Sequence, residues 1–270
     1  MMTDSALGMI GAAAIAGGRA ADAKSGELYQ TSLMSALVEG VYEGLTTYGE
    51  LHRHGDFGLG TFNDLDGEMV GFDGVFYQLR SDGSARPVTD DQKTPFAVVT
   101  FFKPERSLPV ADIAKADLLD RLTALTEANL FTAIRVDGQF ASVTTRTVRE
   151  QHRPFPPLQD ATKGQAETVL TNVAGTLAGF RTPTFAGTLG VPGFHLHFLT
   201  ADRRSGGHVL DFQISDATAQ TCTMHGLHIE LPETDAFLGS NLDDSDLPQK
   251  IAAAEGEPTK SPSKPNGTLS

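Results

Sequence analysis

Among the 270 residues there is one cysteine, Cys222, and no tryptophan. A single thiol excludes an intrachain disulfide and any cysteine-rich zinc or iron–sulfur site. A metal centre, if the chain has one, must be built from histidines and carboxylates. Basic residues are also scarce. Lys plus Arg number 21 against 34 Asp plus Glu, a net charge of −13. A chain this acidic, with no basic cluster, lacks the cationic footprint that phosphate backbones require, so nucleic acid is excluded as a partner. No run reaches the roughly 18 apolar residues of a membrane span. Hydrophobic residues make up 40% and charged residues 20%. Both fit a globular chain and argue against wholesale disorder.

The ends differ from the middle. Residues 1–26 form an Ala- and Gly-rich leader, and Ala21-Asp22-Ala23 has the look of a signal-peptidase site. The first residues carry Asp4 and no Lys or Arg, unlike the positive start of a secretory signal. A cytoplasmic location is therefore expected, with secretion the alternative if residues 1–23 act as a signal. Residues 257–270 combine prolines with polar residues and nothing to bury, the composition of a disordered tail.

Between the ends, runs of strand-like alternation are broken by few helices, which argues against a doubly wound parallel sheet. The expectation is an α+β fold of two related strand-rich halves, 27–155 and 156–256, with Gly-rich hairpins and mixed or antiparallel sheets. The halves meet near the Pro-rich stretch 153–158. Helical rhythm is expected from Tyr29 toward Thr47, over Ala111–Asn129 and over Ala161–Val173. Strands are expected at Phe96–Phe102, at Phe131–Val136 and Phe140–Val148 around Asp137-Gly138, and at Phe180–Leu189, Phe194–Leu199, His208–Ile214 and Thr221–Leu231. Asp66-Gly67 and Asp82-Gly83 read as hairpin turns.

The most informative stretch is GFHLHFLTADRRSGGHVLDF, from Gly193. Side chains alternate along a strand, so His195 and His197 share one face while Phe194, Leu196 and Phe198 face a core. A hairpin folded about 201–207 sets His208 opposite His197. Three imidazoles then converge, the ligand set of a catalytic divalent ion with a position left open. Imidazole favours zinc or another late first-row ion. His52 and His54 repeat the spacing without apolar alternation or a third histidine, and read as loop or surface residues. His225 and His228 fall on opposite faces of a strand and read as structural. A His-x-His with a later His also occurs in cupins, but only Asp202 stands where a cupin carries its glutamate. A cupin-like metal enzyme or a non-enzymatic metal-binding domain remains the alternative.

Several segments, in order, resemble the α-acetolactate decarboxylase family over residues 27 to 256. They are YQTSLMSALVEGVYEG from Tyr29, HGDFGLGTF from His54, GEMVGFDGVFYQ from Gly67 and PFAVVTFF from Pro95. TRTVREQHRPFPPL from Thr145, the histidine hairpin and IAAAEG from Ile251 complete the set. The resemblance implies conversion of 2-acetolactate to acetoin and carbon dioxide, zinc held by His195, His197 and His208, and a homodimer. It also implies catalytic roles for Glu68, Arg146, Glu255 and Thr61. Read alone, Glu68 behind a turn, Arg146 on a strand and Glu255 ahead of a tail are also what ordinary solvated residues look like.

Overall fold

The computed structural model describes residues 26–243 and 245–255; the expected leader and tail lie outside the described residues apart from Gly26. The chain opens with β1 (Glu27–Thr31) and a short helix, Met34–Val38. A second short helix, Tyr48–Leu51, is closed by a capping box in which Thr47 and Glu50 satisfy each other's backbone N–H. Strands β2 (Phe57–Thr61), β3 (Glu68–Phe72), β4 (Val75–Leu79), β5 (Ala85–Pro87) and β6 (Ala97–Thr100) follow. Next come β7 (Arg106–Ala114), the helix Lys115–Leu125, β8 (Phe131–Thr147), the turn of helix Leu158–Ala161 and β9 (Ala166–Thr182). The chain continues through β10 (Gly193–Thr200), β11 (Gly206–Met224), β12 (Gly226–Glu230) and the helices Asp235–Gly239 and Leu247–Glu255.

The strands form two sheets. One has seven strands in the order β12-β1-β6-β2-β3-β4-β5, and its β1–β12 pair is parallel. The other is antiparallel, in the order β10-β9-β8-β11-β7, and β10 also pairs with β11. That extra pairing closes β8, β9, β10 and β11 into a ring. The strand-rich α+β architecture with mixed and antiparallel sheets agrees with the sequence patterns.

The largest core cluster lies between the sheets. Leu28, Phe57, Leu59, Val70 and Phe72 come from the seven-stranded sheet, and Ala178, Phe180, Leu199 and Met224 from the other. Ring residues Phe140, Phe198, Phe212 and Ile214 pack with Leu118 and Leu122 of the Lys115–Leu125 helix in a second cluster. A third, with Tyr29, Tyr48, Leu51, Phe62 and Phe76, covers the far face of the seven-stranded sheet.

Three local expectations are corrected. The helix expected over 161–173 is not formed: helix ends at Ala161, and from Ala166 the chain forms the first half of β9, paired with β8 from Ala166↔Thr147 onward. Thr168, Val169, Thr171 and Val173 are β-branched, which disfavours helix and suits a strand. Asp137-Gly138 is not a turn, because β8 runs straight through it. A Cβ on Gly138 would stand 2.3 Å from the Asp216 carbonyl oxygen and 2.4 Å from the Ala217 Cβ, so this glycine permits close approach of β11. The helix expected from Tyr29 is confined to Met34–Val38, behind a strand that fills the gap between β12 and β6. The expected boundary at 155/156 falls between β8 and β9, which are neighbours in one sheet. Among the described residues no helix is long and apolar enough to cross a membrane.

Candidate metal centre and active site

The histidines occupy the seam where the ring closes. His195 and His197 project from β10, and β10–β11 pairing puts His197 directly opposite His208. The turn between them is fastened by the Thr200 N–H, which donates to the Ser205 carbonyl at 2.9 Å. Ring centroids are 5.0 Å apart for His195–His197 and His195–His208, and 5.5 Å for His197–His208. One nitrogen from each ring lies within 4.8 Å of the other two, the one such group of three among the described residues. The intervening Leu196 and Phe198 enter the ring's core, as strand alternation requires.

His197 is the most constrained. Its side chain is 1% exposed, and its Nδ1 lies 2.7 Å from the Met69 carbonyl on β3. A carbonyl only accepts, so Nδ1 carries the proton and Nε2 presents its lone pair to the pocket. That Nε2 is buried with no hydrogen-bond partner. Burial holds all three imidazoles neutral. It depresses His195 to about 3, with the Arg146 charge adding to the effect, and places His197 and His208 well below the ordinary histidine range. Three neutral, converging nitrogen donors with one orphaned lone pair fit a divalent cation.

Arg146 arrives by sheet register: on β8 it pairs with His208 of β11. It is 6% exposed. Its Nη2 donates to the Ala254 carbonyl, near the end of the Leu247–Glu255 helix, and lies 3.8 Å from Glu255 Oε2. A guanidinium there also complements the negative end of the helix dipole.

Two carboxyls lie against the histidines, Glu68 beside His197 and Glu255 beside His208 and His195. Glu68 opens β3, opposite Thr61 of β2, and its Oε2 lies 3.7 Å from His197 Nε2. Gly67 sets the approach. It has φ +90°, and a Cβ there would meet the Leu79 carbonyl oxygen at 2.1 Å. Thr61 Oγ1 donates to the Gly67 carbonyl at 2.7 Å and so fixes the residue before Glu68. Glu255 Oε2 lies 3.3 Å from His208 Nε2 and 3.9 Å from His195 Nε2. Burial pushes Glu68 up to about 8, with the neighbouring Glu255 charge reinforcing it and Arg146 opposing it. Burial likewise raises Glu255 to about 7, again against Arg146. Both carboxyls are therefore held near the pH at which a proton can be given or taken.

All seven residues singled out in the sequence meet around one cavity. Thr61, Glu68, Arg146, His195, His208 and Glu255 line it, and His197 lies against Glu68. Sequence reading missed its apolar wall, Met34, Leu37, Leu65, Phe96, Val148 and Leu158, and Thr162 and Gln165 beside it. The only signal of the wall residues is apolar character, which any core position shares, and Thr162 and Gln165 carry no distinguishing signal. His52 and His54 stand elsewhere. His52 stacks on Phe76 at 4.4 Å and His54 on Tyr29 at 3.8 Å.

Comparison with known proteins agrees with this geometry. A family model described as alpha-acetolactate decarboxylase matches residues 28–244. The alpha-acetolactate decarboxylase of Bacillus subtilis strain 168 is 43% identical over 234 residues, covering 86% of this chain and 92% of the relative. That of Klebsiella aerogenes is 46% identical over 232 residues, covering 84% and 88%. The crystal structure of the Bacillus subtilis strain 168 protein superposes with a TM-score of 0.84 at 42% identity, covering 85% of this chain and 99% of that one.

Proposed function

Because the chain belongs to the alpha-acetolactate decarboxylase family, a family of carboxy-lyases, we propose that it decarboxylates 2-acetolactate to acetoin with zinc at the three histidines. The observation that carries this reading is the convergence on one cavity of three neutral imidazoles, one arginine and two carboxyls with raised pKa values.

His195, His197 and His208 would hold the ion. Zinc bound there supplies a Lewis acid for the negative charge that collects on the substrate's oxygens as carbon dioxide departs. The chain's own residues do the rest. Arg146 has donors beyond the one given to Ala254, and its planar fork pairs with the substrate carboxylate. The apolar wall of Leu37, Leu65 and Phe96 takes the methyl groups and excludes water. When the bond to the carboxyl carbon breaks, its electron pair passes into the adjacent ketone and leaves an enediolate. A carboxylic acid must then deliver a proton to the former C2, and the face it comes from sets the stereocentre. Glu68, beside His197, and Glu255, beside His208 and His195, are the two candidates for that donor. Thr61 keeps Glu68 in place through Gly67. A purely metal-binding module would need the histidines but not these three charged residues.

The reading includes a homodimer in the cytoplasm. Exposed strand edges support self-association. Light scattering and N-terminal sequencing from the native host test these two points. The decisive experiment is turnover. Chelator-stripped protein given racemic 2-acetolactate should form no acetoin, and stoichiometric zinc should restore it. A folded, zinc-loaded protein that leaves acetolactate unchanged would overturn the reading.

A further inference from the structure

The helix that presents Glu255 spans only Leu247–Glu255. Nine residues are too few to hold a helix in water by themselves, so its position depends on tertiary ties. Its apolar stripe, Leu247, Ile251 and Ala254, is buried in the cluster that contains Met34, Leu37 and Val38 of the first helix. Apolar contact is non-directional: it keeps the helix down but does not fix its rotation or register. Directional ties are needed for that. Arg146 supplies one at the end, through the Ala254 carbonyl. A second lies one turn earlier. Lys250 Nζ donates to Glu39 Oε1 at 2.7 Å, with the two side chains only 26% and 27% exposed. Glu39 directly follows the helix whose Met34 and Leu37 line the cavity. The pair thus joins the helix that delivers the acid to the helix that forms the wall.

We propose that Lys250 and Glu39 are positioning residues, whose ion pair sets the register of the C-terminal helix and so holds Glu255 against the histidines. The inference rests on the role given to Glu255 above and deepens it. A charge-assisted hydrogen bond, half shielded from water, fixes direction as well as distance. A displacement on the order of 1 Å at a reacting group is enough to lower turnover strongly.

The test is a set of variants in the full-length, zinc-loaded protein. Lys250→Glu sets like charges against each other, and Lys250→Met keeps the aliphatic stem as a milder break. Both should lower kcat, by about tenfold for Lys250→Glu, the scale of a partly buried charge pair. Zinc content and KM should stay close to those of the parent. The exchange Lys250→Glu with Glu39→Lys should restore most of the lost turnover. In a Glu255→Gln background, Lys250→Glu should cost little more, because the group it positions is already gone. A merely structural role would give losses additive with Glu255→Gln, and that result, or an exchange that recovers nothing, would overturn the inference. Loss in Glu255→Gln with full activity in both Lys250 variants would refute the tie alone. Full activity in Glu255→Gln would refute the role of Glu255 itself, and the tie with it.

Discussion

Replacing Glu68 by Gln should make the metal-free protein more stable in alkali while making the zinc-loaded protein a poor catalyst. Burial lifts the Glu68 carboxyl from 4.5 to about 8. Below pH 4.5 it is protonated in folded and unfolded chains alike. Between 4.5 and 8 the unfolded chain ionises while the folded chain keeps its proton, so stability drains away, and above 8 the loss is complete. At about 1.4 kcal/mol per pH unit the full effect is bounded near 5 kcal/mol. The side chain keeps 18% exposure and shares its cavity with Glu255. Screening and coupling reduce the expected effect to roughly 2–3 kcal/mol. Glutamine has no proton to lose. The stability gap between Glu68→Gln and the parent should therefore widen in favour of the variant by that amount between pH 4.5 and pH 8.5. Urea midpoints of chelator-treated protein at the two pH values measure it. With zinc restored, acetoin formation should fall by ~10²–10⁴-fold, the contribution of a general acid. A gap that is constant with pH, or that widens toward acid, would refute the claim that Glu68 is held protonated.

Changing His195, His197 or His208 to Ala should remove most metal and activity, whereas His52→Ala and His54→Ala should leave metal content intact; stoichiometric zinc in a His195→Ala/His197→Ala double variant would sink the ligand assignment. Arg146→Lys should retain zinc yet damage turnover, because an ammonium cannot bind a carboxylate with two parallel bonds while also holding the Ala254 carbonyl. Ending the chain after Ala254 should abolish acetoin formation in a protein that stays folded and zinc-loaded, while ending it after Gly256 should do no harm; equal rates for the two would remove Glu255 from the mechanism.

The histidine hairpin was legible because its information is local. A period-2 pattern, an even turn and apolar residues on the alternate face determine which side chains meet, and the observed His197↔His208 pair is that arithmetic in three dimensions. Arg146 and Glu68 are different. Arg146 reaches the site only because β8 aligns with β11, and Glu68 only because β3 abuts β10 through the Met69 carbonyl. Neither long-range register is written in a window of neighbouring residues, so family resemblance had to supply them. Glu255 was least legible, since its local match is short, the alanines before it, Ala252 to Ala254, do not fix an alignment, and the helix that carries it is held by distant partners. The errors have the same origin. Residues from Ala166 lack a clean apolar alternation because the first half of β9 only partly buries one face, through Leu170 and Val173, and Asp137-Gly138 imitates a turn where packing against Ala217 demands a glycine. The carbonyls of Met69 and Ala254, which orient His197 and Arg146, belong to the backbone and leave no trace in residue identity.

The parallel partnership of β1 with β12 also constrains the order in which the molecule can be assembled. Tyr29 donates its hydroxyl proton to Glu230, 201 residues further along the chain. During synthesis, β1 therefore leaves the ribosome with one edge open. That edge stays uncovered until every strand of the ring has been made, because β12 is translated after all of them. An unpaired edge held open for so long invites pairing with other chains. Sealing that edge and placing Glu255 beside the histidines both depend on segments that follow β11, so the two events come together, late in synthesis.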